Sequence, residues 1–188
     1  DMGILAGDAL LNYAFETAAK AFALTDRADL VGKAISILAN KAGIYGMIGG
    51  QSVDVEYTDR PVTKSQLEFI YELKTAALLE AAMMIGAVLA GADDNQVKAA
   101  EQIAHHVGMA FQIRDDILDV ISTTEELGKP VKSDEKNNKT TYVTIYGLDG
   151  ASKLVEEYSH TAMTLLDQVC PNASFLKRLF EYLIVRKK

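Results

Sequence analysis

Apolar residues recur every three or four positions along most of the chain, which is the spacing of one face of an α-helix. The pattern predicts helices that begin at Asp8, span residues 28–48, run from Thr63 or Ser65 to about Ala90 and from about Asn95 to Leu127, and occupy 142–146, 151–169 and 174–186. The predicted fold class is therefore all-α.

Glycine clusters near the end of the second predicted helix, at Gly43, Gly46, Gly49 and Gly50. Because glycine costs up to ~1 kcal/mol relative to alanine inside a helix, the cluster implies close packing or a kink. The spacing matches no phosphate-binding glycine loop. Gln51 and Asp54 follow three residues apart and would project together, although a frayed helix end with exposed polar side chains fits equally well.

A polar face with three carboxylates lies on the helix predicted to end at Leu127. At ~100° per residue, an arc of roughly 100° contains Gln112, Asp115, Asp116 and Asp119. The opposite face carries Ile113, Ile117 and Ile121 and would anchor the helix. Crowded carboxylates favour a cation among them, and oxygen ligands suit Mg²⁺. A solvated acidic surface is the alternative interpretation.

Lys74, His105 and His106 are weaker candidates for a functional site than these carboxylates. Lys74 interrupts an apolar row; spacing alone favours a side chain that reaches outward over one that holds an anion in a cavity. His105 shares the face of Gln112 two turns away and is expected to be structural, while His106 points to the apolar side. Neither histidine has a cysteine partner or the H-E-x-x-H spacing, so zinc has no support.

The helical pattern stops after Leu127, and residues 128–142 form a polar stretch with four lysines. Loops of this length are often lids or binding loops. A carboxylate–Mg²⁺ cluster beside several lysines is the combination that a diphosphate requires. Residues 123–141 are therefore predicted to be a lid that a bound diphosphate would order.

Composition narrows the class of protein. The 188 residues suffice for one domain, 49% of them are apolar, and the net charge of −7 argues against nonspecific nucleic-acid binding. The single cysteine, Cys170, allows no internal disulfide, fits a reducing cytoplasm, and is expected to be a partly buried thiol. No run reaches the ~18 uncharged apolar residues of a membrane span. The chain opens abruptly at Asp1, so a targeting segment cannot be judged.

Six blocks in a fixed order carry a resemblance to a known family. They are Gly7-Asp8-Ala9-Leu10-Leu11, Gly49-Gly50-Gln51 with Asp54, Lys74-Thr75, Phe111-Gln112 with Asp115-Asp116-x-x-Asp119, Gly128-Lys129, and Asn138-Lys139-Thr140-Thr141-Tyr142. With them the chain resembles the trans-polyprenyl diphosphate synthases, the farnesyl/geranylgeranyl diphosphate synthase family. The resemblance implies an all-α, isoprenoid-synthase-type helical bundle around a central cavity, usually a homodimer. Residues 1–188 would be the C-terminal part of one synthase domain.

The implied reaction is a 1′-4 head-to-tail condensation of an allylic diphosphate with isopentenyl diphosphate, giving farnesyl or geranylgeranyl diphosphate. By similarity, Asp115, Asp116 and Asp119 bind Mg²⁺. Residues that match diphosphate-contacting or cation-stabilising positions are Lys74, Thr75, Gln112, Lys129 and Lys139, with Gln51 and Asp54 added as substrate-binding residues. For Lys74 the resemblance replaces the outward-reaching interpretation.

The chain departs from the family pattern in several places, which limits what the resemblance implies about its activity. The family's first aspartate-rich motif and the upstream positions for isopentenyl diphosphate would precede Gly7, so residues 1–188 alone are expected to be inactive and to expose an apolar face. Ala76 and Lys132 replace glycines that are common in the family. A noncatalytic subunit of a heteromeric prenyltransferase and a terpene cyclase-like relative are the alternatives; the preserved lysines and aspartates argue against the first, and the Lys-Thr and Phe-Gln blocks against the second.

Overall fold

The computed structural model of the chain describes residues 1–123 and 139–186. Within them the chain is helical, and it forms α1 Met2–Ala19, α2 Ala28–Ala42, α3 Met47–Glu56, α4 Lys64–Tyr71, α5 Ala77–Leu89, α6 Asp94–Ile121, α7 Tyr142–Val169 and α8 Ser174–Val185. A 3₁₀ turn, Lys20–Ala23, follows α1, and a π-turn, Glu72–Ala76, joins α4 to α5. The predicted all-α class is confirmed.

Three helices begin with a capping box, in which a side chain and a backbone amide at the helix start satisfy each other. Thr63 caps α4 with Gln66, Asp93 caps α6, and Thr141 caps α7 with Thr144. The predicted start at Thr63 is confirmed, and α6 begins one residue before the predicted Asn95. These caps define where the polar connections end and the buried helices begin.

The long helix α6 is the centre of the bundle and packs against α5, the π-turn, α7 and α8. One core cluster joins α4, α6 and the first half of α7, with Leu67, Ile70, Tyr71, Met109, Ala110, Ile113, Ile117, Tyr142, Ala151 and Val155. A second joins the first half of α6 to the end of α7 and to α8, with Ile103, Val107, Ala162, Leu166 and Phe180. Ile113 and Ile117 anchor α6 as predicted, whereas Ile121 is exposed.

The first helix differs from its prediction. It begins at Met2 rather than at Asp8, so Asp8 lies inside α1 and is not its N-cap. The helix buries none of its residues, and Leu5, Leu10 and Tyr13 are all exposed. The exposed apolar face that the sequence led us to expect is therefore on α1.

The glycine cluster breaks the second predicted helix in two. α2 ends at Ala42, α3 begins at Met47, and the predicted continuous helix to Ile48 is wrong. A Cβ atom on Gly46 would lie 1.9 Å from the carbonyl oxygen of Lys41, so the bend needs glycine there. A Cβ on Gly50 would lie 2.4 Å from the backbone nitrogen of Lys74, which shows that α3 and the π-turn touch through their backbones. Both predicted consequences, a kink and close packing, are confirmed.

The π-turn adds a residue to an otherwise continuous helical rod from α4 to α5, and such turns occur often at functional sites. The extra residue rotates the following side chains, and beyond the turn Ala77 and Ala81 are buried while Leu78 is exposed. Lys74 and Thr75 lie inside the turn. The turn thus sets the direction of the two residues that the sequence singled out.

Two helix-interior glycines make a matched pair for testing this packing. A Cβ on Gly108 would lie 2.6 Å from Cα and Cβ of Ala76, whereas a Cβ on Gly86 would meet no atom within 4 Å. We expect Gly108→Ala to lower the free energy of unfolding by about 1–2 kcal/mol through overpacking. We expect Gly86→Ala to raise it by about 0.5–1 kcal/mol through helix propensity. Urea unfolding of both variants measures the difference, and equal effects would contradict the close contact of α6 with the π-turn.

Two further expectations concern the surface. Cys170 was predicted to be partly buried, but the residue is exposed. It follows the last residue of α7, where the helix ends and the chain turns toward α8. In the part of the chain that the structure describes, no helix combines the length and the apolar character needed to cross a membrane.

Candidate functional site

Two lysines from distant parts of the chain meet at one carboxylate. Lys74 Nζ in the π-turn lies 2.5 Å from Asp54 Oδ2, and Lys139 Nζ, just before α7, lies 3.3 Å from Asp54 Oδ1. Burial opposes ionisation of Asp54, but the hydrogen bond from Lys74 and the charge of Lys139 outweigh it and hold the pKa of Asp54 below its ordinary value. With two ammonium groups and one carboxylate, the cluster carries a net positive charge suited to an anion.

A cavity of about 270 Å³ opens beside this cluster. Its walls come from the end of α3, the segment between α3 and α4, α4 itself, and the residues before α7. The charged residues on its lining are Asp54, Asp59, Arg60 and Lys139, whereas Lys74 reaches Asp54 from outside the lining. The cavity is therefore a space beside Asp54 and Lys139 that a small polar group could enter.

Thr75, the fourth residue of the π-turn, contacts the central helix. Thr75 Oγ1 donates a hydrogen bond to Oε1 of Gln112, at 2.7 Å. This bond orients the Gln112 amide and links the turn that carries Lys74 to the polar face of α6. The structure thus joins Thr75 to Gln112, while the roles that the resemblance implies for Lys74, Thr75 and Gln112 stay predictions.

The three aspartates on the polar face of α6 differ in their surroundings, and Asp115 and Asp116 have different partners. Asp115 Oδ1 pairs with Nη2 of Arg186 at 3.0 Å, at the end of α8. Asp116 is buried, and its Oδ2 accepts hydrogen bonds from the Tyr71 hydroxyl at 2.6 Å and from the Tyr142 amide at 3.1 Å. Asp119 is also buried, one helical turn beyond Asp115. Sequence spacing placed the three side chains on one arc, but it could not show that Asp115 and Asp116 meet different partners.

The donor chemistry of this face fits Mg²⁺. Such an ion usually takes one or two carboxylates and completes its octahedron with water and phosphate oxygens. Asp115 and Asp119 lie four residues apart on α6 and could supply those oxygens, whereas one oxygen of Asp116 is already held by two donors. Within residues 1–123 and 139–186, no group of three histidine, cysteine, aspartate or glutamate side chains could hold a metal ion by itself. Metal binding therefore remains a prediction.

The remaining predicted residues are placed as follows. Gln51 lines a shallow groove with Met47 and Val55, away from the cavity at Asp54, so the predicted joint projection of Gln51 and Asp54 is not observed. Lys129, and most of the lid predicted over 123–141, lie outside the described residues.

Arg186 is a residue that the sequence analysis missed. Its guanidinium carbon lies 3.9 Å from the centroid of the Phe111 ring, and its backbone oxygen accepts a hydrogen bond from Arg114 Nη2 at 3.2 Å. Stacking on an aromatic ring and pairing with a carboxylate are both favoured by a planar guanidinium. The basic end of the chain was the only signal available, because nothing in the spacing links residue 186 to residue 115.

A separate charged cluster links α2, α5 and α6. Lys41 pairs with Glu80 and, at 2.6 Å, with Glu101, and His105 Nδ1 lies 3.2 Å from Glu80 Oε1. The hydrogen bond with Glu80 raises the pKa of His105 above its ordinary value, against burial, which lowers it. His105 is structural, as expected, since it holds the buried Glu80 rather than facing Gln112. The ring of His106 packs 5.7 Å from that of Tyr158.

This cluster predicts a pH dependence of stability. Because the folded-state pKa of His105 is raised, its contribution is fully present below the unfolded value near 6.5 and is lost as pH rises through the folded value. The pKa of Glu80 is lowered, so its contribution is present above its unfolded value near 4.5. We expect the free energy of unfolding lost in His105→Gln to be largest near pH 6 and to shrink at higher pH. Urea unfolding across pH 5–9 measures it, and a loss that grows with pH would contradict the pairing.

Comparison with known proteins shows which family the chain resembles in sequence and in fold. The family model of polyprenyl synthetases matches residues 1–172. The chain is 37% identical to the farnesyl diphosphate synthase of Geobacillus stearothermophilus over 98% of its own length, and 43% identical to the geranylgeranyl diphosphate synthase of Cyanophora paradoxa over 83%. Among solved structures, it is similar to the geranyltransferase of Helicobacter pylori complexed with magnesium and isoprenyl diphosphate, with a TM-score of 0.81, 32% identity, and coverage of 96% of this chain and 58% of that one.

The matches cover only part of these relatives. The chain spans 62% of the Geobacillus protein and 52% of the Cyanophora protein. It superposes on the geranylgeranyl pyrophosphate synthetase of Pyrococcus horikoshii with a TM-score of 0.83 and 26% identity, over 98% of this chain and 67% of that one. The helical bundle described above is thus an isoprenyl diphosphate synthase fold.

Proposed function

Because the chain belongs to the polyprenyl synthetase family, we propose that it is part of a prenyltransferase that condenses an allylic diphosphate with isopentenyl diphosphate. The product would be farnesyl or geranylgeranyl diphosphate. The observation that carries the proposal is the pairing of Lys74 and Lys139 with Asp54, which leaves two ammonium groups at one carboxylate, with Lys139 and Asp54 on the wall of a cavity. A diphosphate would supply the missing negative charge.

The proposed reaction breaks the bond between C1 of the allylic substrate and its diphosphate oxygen, and the electron pair leaves with the diphosphate. The double bond of isopentenyl diphosphate attacks that carbon, and a proton is lost to form the new double bond. Negative charge accumulates on the leaving group, so Lys74 and Lys139 stabilise the transition state more than the ground state. Lys129 is proposed to join them.

The carboxylates of α6 would hold the metal. Mg²⁺, bound through Asp115 and Asp119 and through diphosphate oxygens, would neutralise charge on the departing group. Arg186 must give up its pairing with Asp115 Oδ1, or share it, when the ion binds. Thr75 orients the Gln112 amide beside this site.

Assembly and location are further proposals. The exposed apolar residues of α1, among them Leu5 and Leu10, support packing against other helices of a complete synthase domain or against a second copy in a homodimer. A cytoplasmic location rests on the single cysteine and stays a prediction.

The test is a product assay on a protein that contains these residues and is as long as the relatives named above, which we call the protein of full family length. It is incubated with Mg²⁺, radiolabelled isopentenyl diphosphate and either dimethylallyl or geranyl diphosphate, and the products are dephosphorylated and separated. We expect label in a linear C15 or C20 alcohol, and none when Mg²⁺ is chelated. Residues 1–188 alone are proposed to release no product.

Two outcomes would overturn the proposal. Absence of label in any prenyl product would favour a noncatalytic subunit. A cyclic hydrocarbon made from the allylic diphosphate alone would favour a cyclase. In either case the lysine cluster would need another explanation.

A further inference from the structure

One oxygen of Asp116 connects three parts of the fold. Its Oδ2 accepts hydrogen bonds from the Tyr71 hydroxyl, at the end of α4, and from the Tyr142 amide, at the first residue of α7. Tyr71, Asp116 and Tyr142 are 3%, 4% and 2% exposed, so water does not weaken these bonds. The tyrosine rings also pack on each other, with centroids 5.3 Å apart. We call this arrangement the Asp116 clamp.

The segments joined by the clamp are those that carry the two lysines. Lys74 comes three residues after Tyr71, and Lys139 comes three residues before Tyr142. Both lysines contact Asp54, which belongs to α3. The clamp therefore joins, through α6, the two segments whose lysines meet at Asp54.

The electrostatics favour a carboxylate in this position. The Tyr142 amide is one of the donors left without a helical acceptor at the start of α7, where the helix dipole also attracts negative charge. A buried carboxylate needs such donors, and its hydrogen bonds are stronger than those between neutral groups. An ion bound to Oδ2 would have to displace both donors.

From this geometry we propose that Asp116 is a positioning residue held by Tyr71, and that together they set the spacing of Lys74 and Lys139 for a diphosphate. The inference rests on the proposed function and refines it, since the resemblance implied that all three aspartates bind Mg²⁺. Asp115 and Asp119 then remain as the metal-facing pair, and Asp116 acts through the lysines.

The test is Tyr71→Phe, which removes the hydroxyl and keeps the ring packing. In the protein of full family length, calorimetric titration with inorganic pyrophosphate at saturating Mg²⁺ is expected to show affinity weakened about 10-fold, which is the effect of one displaced ammonium group losing a charge-assisted hydrogen bond to the anion. The Mg²⁺ concentration for half-maximal pyrophosphate binding is expected to stay within about 2-fold of wild type. A purely stabilising role would lower the melting temperature and leave the affinity of the folded protein unchanged.

A second readout needs no ligand. Hydrogen exchange at the Tyr142 amide is expected to accelerate about 10-fold in Tyr71→Phe, while amides of α8 stay as in wild type. Tyr146→Phe is the matched control, because that ring packs on Tyr142 with centroids 5.8 Å apart but its hydroxyl is neither of the two clamp donors, which are the Tyr71 hydroxyl and the Tyr142 amide. It is expected to change neither readout.

The outcomes separate the two claims. If wild-type protein binds no pyrophosphate, the proposed function fails, and exchange at Tyr142 still decides the clamp. Unchanged exchange in Tyr71→Phe would overturn the clamp. Faster exchange at Tyr142 with unchanged pyrophosphate affinity would overturn the positioning role, because the clamp would then only stabilise the fold. So would a large shift in the Mg²⁺ requirement, because that would make Asp116 a metal ligand.

Discussion

Replacing Asp115 with alanine is expected to lower kcat at least ~100-fold, the loss typical of removing a group that stabilises charge in the transition state. Asp115 lies on the polar face of α6, and its partner Arg186 shows that the carboxylate already attracts a cation. Steady-state rates of the protein of full family length, measured at saturating substrates and Mg²⁺, give the value.

The matched control is Asp94→Ala, on the same helix. Asp94 lies at the exposed start of α6 and pairs with Lys33, so its loss is expected to change the rate less than 2-fold. Melting temperatures of both variants exclude unfolding as the cause. A rate near wild type in Asp115→Ala would remove Asp115 from the metal site.

Loss of either clustered lysine is expected to weaken diphosphate binding strongly. Lys139→Ala leaves Lys74 and Asp54 as a neutral pair, so the excess positive charge disappears. Hydrogen bonds to charged groups contribute about 1.5–3 kcal/mol, which corresponds to about 10- to 100-fold in affinity. Calorimetric titration with magnesium pyrophosphate measures the change.

Lys64→Ala controls for a general loss of charge. Lys64 is exposed at the start of α4 and forms a loose pair with Glu68, 3.6 Å away. We expect it to bind pyrophosphate as wild type does. If Lys64→Ala weakens pyrophosphate binding as much as Lys139→Ala does, the protein attracts the anion through its overall electrostatic field rather than through the lysines at Asp54.

Much of the fold follows from local sequence. The capping candidates Thr63 and Ser65 predicted the start of α4, and helical periodicity predicted that of α6 to within a residue, although the cap Asp93 was not recognised. Such caps are local, because they satisfy backbone donors without help from the rest of the chain. The start of α1 was wrong because Asp8 looks like a cap and the preceding residues are too few to show a period. The glycines predicted a kink or close packing but not the end of the helix at Ala42, since glycine is compatible with both a helix and a bend.

The site was harder to predict because it depends on contacts between distant segments. The one-residue insertion at the π-turn leaves no mark in the apolar spacing, yet it sets where Lys74 and Thr75 point. The arc of carboxylates on α6 was correct as geometry, but only the neighbours decide that Asp116 meets Tyr71 and Tyr142. Motif resemblance supplied candidate residues, and packing assigned them different tasks.

A crystal structure of the protein of full family length, with Mn²⁺ and an unreactive allylic diphosphate analogue, would place metal and diphosphate directly. Mn²⁺ takes the same oxygen ligands as Mg²⁺ and is located by anomalous scattering. We expect an anomalous peak in coordination contact with Asp115 or Asp119, and diphosphate oxygens within hydrogen-bonding distance of Lys74 and Lys139. A metal peak and a diphosphate bound away from both the α6 carboxylates and these lysines would contradict the proposed site.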